Sequence, residues 1–142
     1  MCIRDRLDQV IDLENKHEPN IKPDLILRLA ALLHDIGKPK TRKFEGEARV
    51  SFHHHEVVGA RLAKKRLEKL RYSNDIIEQV CLLIELHLRF HGYGDGKWTD
   101  SAVRRYVRDA DEELIRLHKL TRADCTTRNL SLIHISEPTR PY

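Results

Sequence analysis

The stretch LILRLAALLHDIGKPK, residues 25–40, constrains the fold more than any other part of the chain. From Leu25 to Ile36 apolar side chains fall on nearly every side of a helix except at Arg28, the pattern of a helix central to a core. Pro23 suits a first helical position, and Gly37 and Pro39 end the run. The helix closes on His34 and Asp35. One polar residue there is a solvated turn. Two adjacent side chains that bind metals, at the mouth of a buried helix, form a candidate site, because burying either without a partner is costly.

Around this helix, apolar spacing predicts the end of an amphipathic helix over Leu7–Glu14 and another from about His54 to Leu70, with Val57, Val58, Leu62, Leu67 and Leu70 inward. Ser73-Asn74-Asp75 offers capping chemistry for a helix from Ile76 to about Arg89. Thr99 or Asp100 caps one through Val107, and a last helix spans about Glu112–Cys125. Residues 38–52 read as a polar, basic loop with a short strand at ARVSF, and HGYGDGKW as a glycine-rich break. The expected fold class is all-α, a bundle of five or six helices.

At 142 residues the chain can form one domain with a real core. Its net charge of +4 permits an anionic partner. No apolar run approaches a membrane span, and MCIRDR lacks the apolar core of a signal peptide. Cys2, Cys81 and Cys125 show neither disulfide nor metal spacing, so a cytoplasmic location is expected. The two ends stand apart. Back-translated as ATG TGT ATA AGA GAC AG, the start has a reverse complement that encodes LSLIH and the opening of an Ile codon. Residues 1–6 and 130–142 are therefore expected to be adapter-like additions. Residues 7–129 are then the genuine segment, a fragment of a longer protein.

Chemistry-bearing residues recur at inward or terminal positions. His87 follows Val80 by seven residues and Leu83 by four, and Asp124 stands in the same relation to Leu117 and Leu120. His53-His54-His55 opens a helix. Taken singly, His87 is a hydrogen-bonded core histidine, Asp124 pairs with an arginine such as Arg122, and the triple His is a solvated helix start. Taken together, the mixed nitrogen and oxygen donors suit a divalent cation such as Mn, Fe, Ni, Zn or Mg. Such an ion activates water and stabilises charge on a phosphoryl group.

LAALLHDIGKPK resembles the signature doublet of the HD superfamily, metal-dependent phosphohydrolases built on a helical bundle. The resemblance assigns His34 and Asp35 as metal ligands and catalytic residues, Asp124 as the last ligand, and Lys38 as a catalytic lysine near phosphate. HHEVVGA is similar to the family's His-x-x-x-Gly-Ala stretch, which selects His55 as a further ligand. His87 matches another His that many members carry, with Leu88 where a second His is common. The implied cofactor is a divalent metal, Mg, Mn or Ni. The family's first His belongs on the helix leading into Leu7, and MCIRDR has none. Weak or absent metal binding is therefore expected.

A narrower resemblance rests on FHHHEVVGARLAKKRLEKLRYS, LHLRFHGYGDGKWTDSAVRRYVRDA and LHKLTRADCTTRN. These are similar to bacterial CCA-adding tRNA nucleotidyltransferases, especially the actinobacterial type, across residues 7–129. The implied content is an HD domain with the start of a tRNA-contacting helical region. No Gly-Ser followed by Asp-x-Asp occurs, so nucleotide addition is not expected of this chain itself. Lys64, Lys65, Arg104 and Arg105 are the implied tRNA contacts, against the ordinary reading of a solvated charged face. Trp98 and Tyr93 either stack on bases or pack the glycine-rich break. Two alternatives stay open: a free-standing HD phosphohydrolase acting on nucleotides or cyclic phosphodiesters, and a non-catalytic RNA-binding helical module.

Overall fold

The structure, a computed structural model, describes residues 3–46, 49–90, 96 and 98–125. Among them it forms α1 (Ile3–His17), α2 (Leu25–Leu33), the single turn α3 (Lys38–Thr41), strands β1 (Arg42–Glu45) and β2 (Arg49–Phe52), and then α4 (His55–Lys69) and α5 (Asn74–Leu86). After the break come α6 (Asp100–Ala110), a 3-10 turn at Asp111–Glu113, and α7 (Leu114–Cys125). Six helices longer than one turn among the described residues agree with the expected all-α bundle. The two strands add a small antiparallel hairpin, with Arg42 opposite Phe52 and Phe44 opposite Val50.

The core is filled by Val10 of α1, Leu27, Ala30 and Ala31 of α2, Ala63 and Leu67 of α4, Val80, Leu83 and Ile84 of α5, and Leu117 and Leu120 of α7. Helix α2 touches α1, α5 and α7, while α4 packs mainly along α5. Asp24 caps α2 by accepting from the Leu27 amide and also accepts from Arg116 Nε at 2.7 Å, tying α7 to the start of α2. Glu14 accepts from Arg28 Nε at 2.8 Å and joins α1 to the same helix. Glu113, buried beside them, receives the Arg116 Nη1 group, so this buried carboxylate is paired.

Several boundaries differ from the sequence reading. Helix α2 stops at Leu33, three residues earlier than expected, and His34 is its C-cap. Pro23 precedes the cap instead of starting the helix, because Asp24 supplies the better capping oxygen. The strand expected at ARVSF is present as β2, and RKFE, expected as loop, pairs with it. Leu70 is exposed, not inward. Leu67 takes the core position of that turn, and Leu70 lies on the reversal that ends α4.

Candidate metal centre

The short turn from His34 to Gly37 is possible only because the chain is bare at Gly37. A Cβ there would lie 2.3 Å from the His55 carbonyl oxygen and 2.7 Å from the Gly59 amide nitrogen. The backbone of the turn thus rests directly on the first turn of α4. That contact brings His55, at the head of α4, beside the His34-Asp35 doublet. His87, at the C-terminal cap of α5, enters from the core side, and Asp124 arrives from the last turn of α7.

The three imidazoles are set in one way. His34 Nδ1 donates to the Ala31 carbonyl at 2.7 Å, His55 Nδ1 to the Phe52 carbonyl at 3.0 Å, and His87 Nδ1 to the Ile84 carbonyl. Each bond reaches the residue three positions back and places a proton on Nδ1, so that in the neutral ring Nε2 carries the lone pair, which is how backbone carbonyls orient metal-ligating histidines. All three Nε2 atoms are buried without a hydrogen-bond partner. They surround one carboxylate. Asp35 Oδ1 lies 3.4 Å from His55 Nε2 and 4.0 Å from His87 Nε2, and Asp35 Oδ2 lies 3.3 Å from His34 Nε2. Ligand atoms of Asp35, His55 and His87 all fall within 4.8 Å of one another, a spacing that can hold a cation.

Charge is arranged around this cluster. Burial holds the His87 pKa down to about 4, so its ring is neutral. Burial opposes protonation of His34 as well, but Asp124 and then Asp35 outweigh it and lift the His34 pKa to about 9, so its Nε2 holds a proton that a cation has to displace. Both carboxylates stand within ion-pair reach of His34 Nε2, Asp124 at 3.5 Å, though neither meets hydrogen-bond geometry. Burial raises the Asp35 carboxyl, yet His34 and Lys38 together hold it well below the usual carboxylate range. Lys38 Nζ donates to Asp35 Oδ2 at 2.7 Å and remains 39% exposed, so the ammonium sits at the rim of the site.

Of the residues expected to be ligands from sequence, Asp35, His55 and His87 bring ligand atoms together, His34 lies beside Asp35, and Asp124 meets the cluster only through His34. His53 and His54 are exposed, and only His55 of the triple is buried. Sequence reasoning missed one group. Arg6, in the segment expected to be an addition, is 7% exposed on α1 and faces the site. Its Nε lies 3.3 Å from Asp124 Oδ1, and its Nη1 donates to the Ala123 carbonyl at 2.9 Å and to Gln9 Oε1 at 3.0 Å. The available signal was spacing, since Arg6 stands one helical turn before the buried Val10. A cation thus sits beside Asp124, on the helix where the family resemblance places a histidine.

The expected RNA contacts Lys64 and Lys65 lie exposed on α4, and Arg104 and Arg105 lie exposed on α6. Trp98 packs its ring 5.3 Å from Tyr106 and 6.0 Å from Phe90. Tyr93 lies outside the described residues.

A helical bundle that gathers His-Asp, His, His and Asp from the ends and turns of separate helices is the architecture of a known class, and the comparison with families agrees. The HD domain family matches residues 9–129, so the chain belongs to that family. It is also similar to the CC-adding tRNA nucleotidyltransferase of Thermus thermophilus, 45% identical over 62 residues, or 43% of this chain and 14% of that protein. The A-adding tRNA nucleotidyltransferase of Deinococcus radiodurans is 35% identical over 102 residues, or 71% of this chain and 22% of that protein. The chain spans less than a quarter of either relative. No helix among the described residues is long and apolar enough to cross a membrane.

Proposed function

We propose that this chain is the HD portion of a cytoplasmic CCA-adding tRNA nucleotidyltransferase of the actinobacterial type, and that its His–Asp cluster is a divalent-metal site acting on phosphate esters. The observation that carries the metal reading is the set of three buried Nε2 atoms without partners around the Asp35 carboxylate. A buried polar atom left unpaired is destabilising, and a cation is the partner that imidazole lone pairs and a carboxylate share. His34, Asp35, His55 and His87 are the proposed ligands, with Asp124 reached through His34. A divalent cation held there, Mg, Mn or Ni, supplies Lewis acidity toward water and a phosphoryl oxygen. Lys38, at the rim, offers its ammonium to a nucleotide or phosphodiester substrate. Asp35 holds that ammonium in place.

The tRNA reading is supported by the two nucleotidyltransferase relatives and by the exposed cations Lys64, Lys65, Arg104 and Arg105, which suit phosphate contacts. Nucleotide addition is assigned to a domain outside this chain. Sequencing the genomic DNA upstream of Leu7 tests the parentage: a nucleotidyltransferase domain in frame supports it, and an unrelated domain overturns it. The metal reading is tested by titrating the chain with Mn in a calorimeter. One ion should bind, weakly because α1 carries Arg6 where the family resemblance places a histidine, and His87→Ala or His55→Ala should weaken it further by roughly tenfold or more. No heat with Mn, Ni or Mg removes the metal site.

A further inference from the structure

Beside the His–Asp cluster, the β1–β2 hairpin carries an apolar face that the core does not cover. Its register sets Arg42 opposite Phe52 and Phe44 opposite Val50, and strand periodicity puts these four on one face, with Lys43, Glu45, Arg49 and Ser51 on the other. Phe44 is 73% exposed and Val50 42%. A two-stranded hairpin is marginal alone and ordinarily rests its apolar face on something. Here the Phe52 end is the one held. Phe52 is half-buried, its carbonyl accepts from His55 Nδ1, and Lys38 Nζ lies 5.9 Å from its ring centroid. The same ammonium donates to Asp35 Oδ2 at 2.7 Å, so this face of the hairpin continues the rim of the candidate metal centre.

The two faces are sorted by charge. Glu45 belongs to the back, where its Oε1 accepts from Ser51 Oγ at 2.8 Å and from His53 Nε2 at 3.3 Å. The front has no carboxylate among the described residues. Outward from Asp35, cations and rings alternate along it: Lys38, Phe52, Arg42, Phe44. The Arg42 guanidinium stacks 4.7 Å from the Phe44 centroid and keeps its edge donors, while the ring stays largely open beside Val50. A mononucleotide brings one phosphate and needs only Lys38 at the rim. A second cation one ring away, with an open aromatic surface next to it, matches a second phosphate and its base. Resting on the phosphate-ester reading of the metal centre, we propose that its substrate is a phosphodiester-linked strand of two or more nucleotides, and that the hairpin front holds the second unit. The phosphate of that unit meets Arg42, and its base lies on Phe44 against Val50. This surface is separate from the exposed cations of α4 and α6 assigned above to tRNA.

The full chain is titrated in a calorimeter with a 5′-phosphorylated adenosine dinucleotide and, separately, with AMP. EDTA is present throughout, so that binding is read apart from turnover. The dinucleotide should bind at least about fivefold tighter, the scale of one stacked base. Phe44→Leu keeps apolar bulk but loses the ring, and Arg42→Ala loses the second cation; each should remove most of that preference. Phe44→Tyr should keep it. Lys43→Ala deletes an equal charge from the back of the same strand and should change nothing. Equal affinity for the two ligands in the parent chain, an unchanged preference in Phe44→Leu, or a loss in Lys43→Ala as large as in Arg42→Ala overturns the hairpin surface. A parallel Mn titration without EDTA separates the two levels of the claim. Mn binding with no dinucleotide preference overturns the hairpin surface and leaves the metal reading standing. Absence of Mn binding removes the metal reading, and with it the hairpin's part in a substrate site, even where the preference persists.

Discussion

Gly37, two residues after Asp35, and Gly59, four after His55, differ sharply in what they tolerate. Gly37 is pressed against backbone atoms of His55 and Gly59, which cannot rotate away. Gly37→Ala should therefore destabilise the chain by about 1–3 kcal/mol, as overpacking does, and displace His55 from Asp35. Gly59 meets its nearest neighbours only at 3.4–3.6 Å, in ordinary contact, and it lies inside a helix where alanine is preferred. Gly59→Ala should stay within about 1 kcal/mol of the parent in urea unfolding. Equal losses for the two would refute the close-approach argument. Arg6 gives a second prediction. Its guanidinium beside Asp124 places a positive charge where the cluster would draw on a carboxylate. Arg6→His removes that charge and offers a nitrogen donor, so Mn affinity should rise by roughly tenfold, the scale on which groups around metal ligands act. An unchanged Mn isotherm would show that Arg6 and Asp124 are irrelevant to the site.

The helices end by local chemistry that can be adjusted separately from the site. Helix α4 closes in a Schellman turn, with the Tyr72 amide on the Leu67 carbonyl at 3.1 Å and the Arg71 amide on Glu68 at 3.0 Å. Arg71 occupies the left-handed position at φ 60°, where a Cβ is strained. Arg71→Gly should raise stability by roughly 0.5–1 kcal/mol in chemical denaturation without altering metal binding. A loss of stability would mean that the Arg71 side chain contributes more than its backbone strain costs. Ser73 and Thr99 were legible as caps because a capping oxygen works within three residues of sequence, and both accept the amides expected of them. Strand β1 was not legible. RKFE is charged and wholly exposed, and it becomes a strand only because RVSF lies opposite to bond its backbone.

At the scale of the whole molecule, the cluster couples folding to ligand. Its residues come from the turn after α2 and from α4, α5 and α7, so a cation held among them binds the folded chain and not the unfolded one. At a free Mn concentration near one hundred times the dissociation constant, stability should rise by about 2.7 kcal/mol. That corresponds to roughly 10 °C in the unfolding midpoint for a chain of this size, and chelation should reverse it. A midpoint indifferent to Mn and to chelator would separate the cluster from metal altogether. The same convergence explains why so many helix ends face inward. Each of His34, His55 and His87 uses the carbonyl three residues back to point Nε2 at Asp35, a device that needs only a turn or a helix end.

The sequence by itself determined the main helices, the caps at Ser73 and Thr99 and the identity of the groups that could gather, because periodicity and capping are local and a buried His-Asp doublet demands a partner wherever it lies. It also carried the family resemblance that joined His55, His87 and Asp124 to that doublet. Only the tertiary structure decided that the turn at Gly37 must lie on α4, that Arg6 faces Asp124, and that the Tyr106 hydroxyl is buried without a partner. Each of those depends on which two distant backbones come within contact of each other, and no spacing along one segment encodes that.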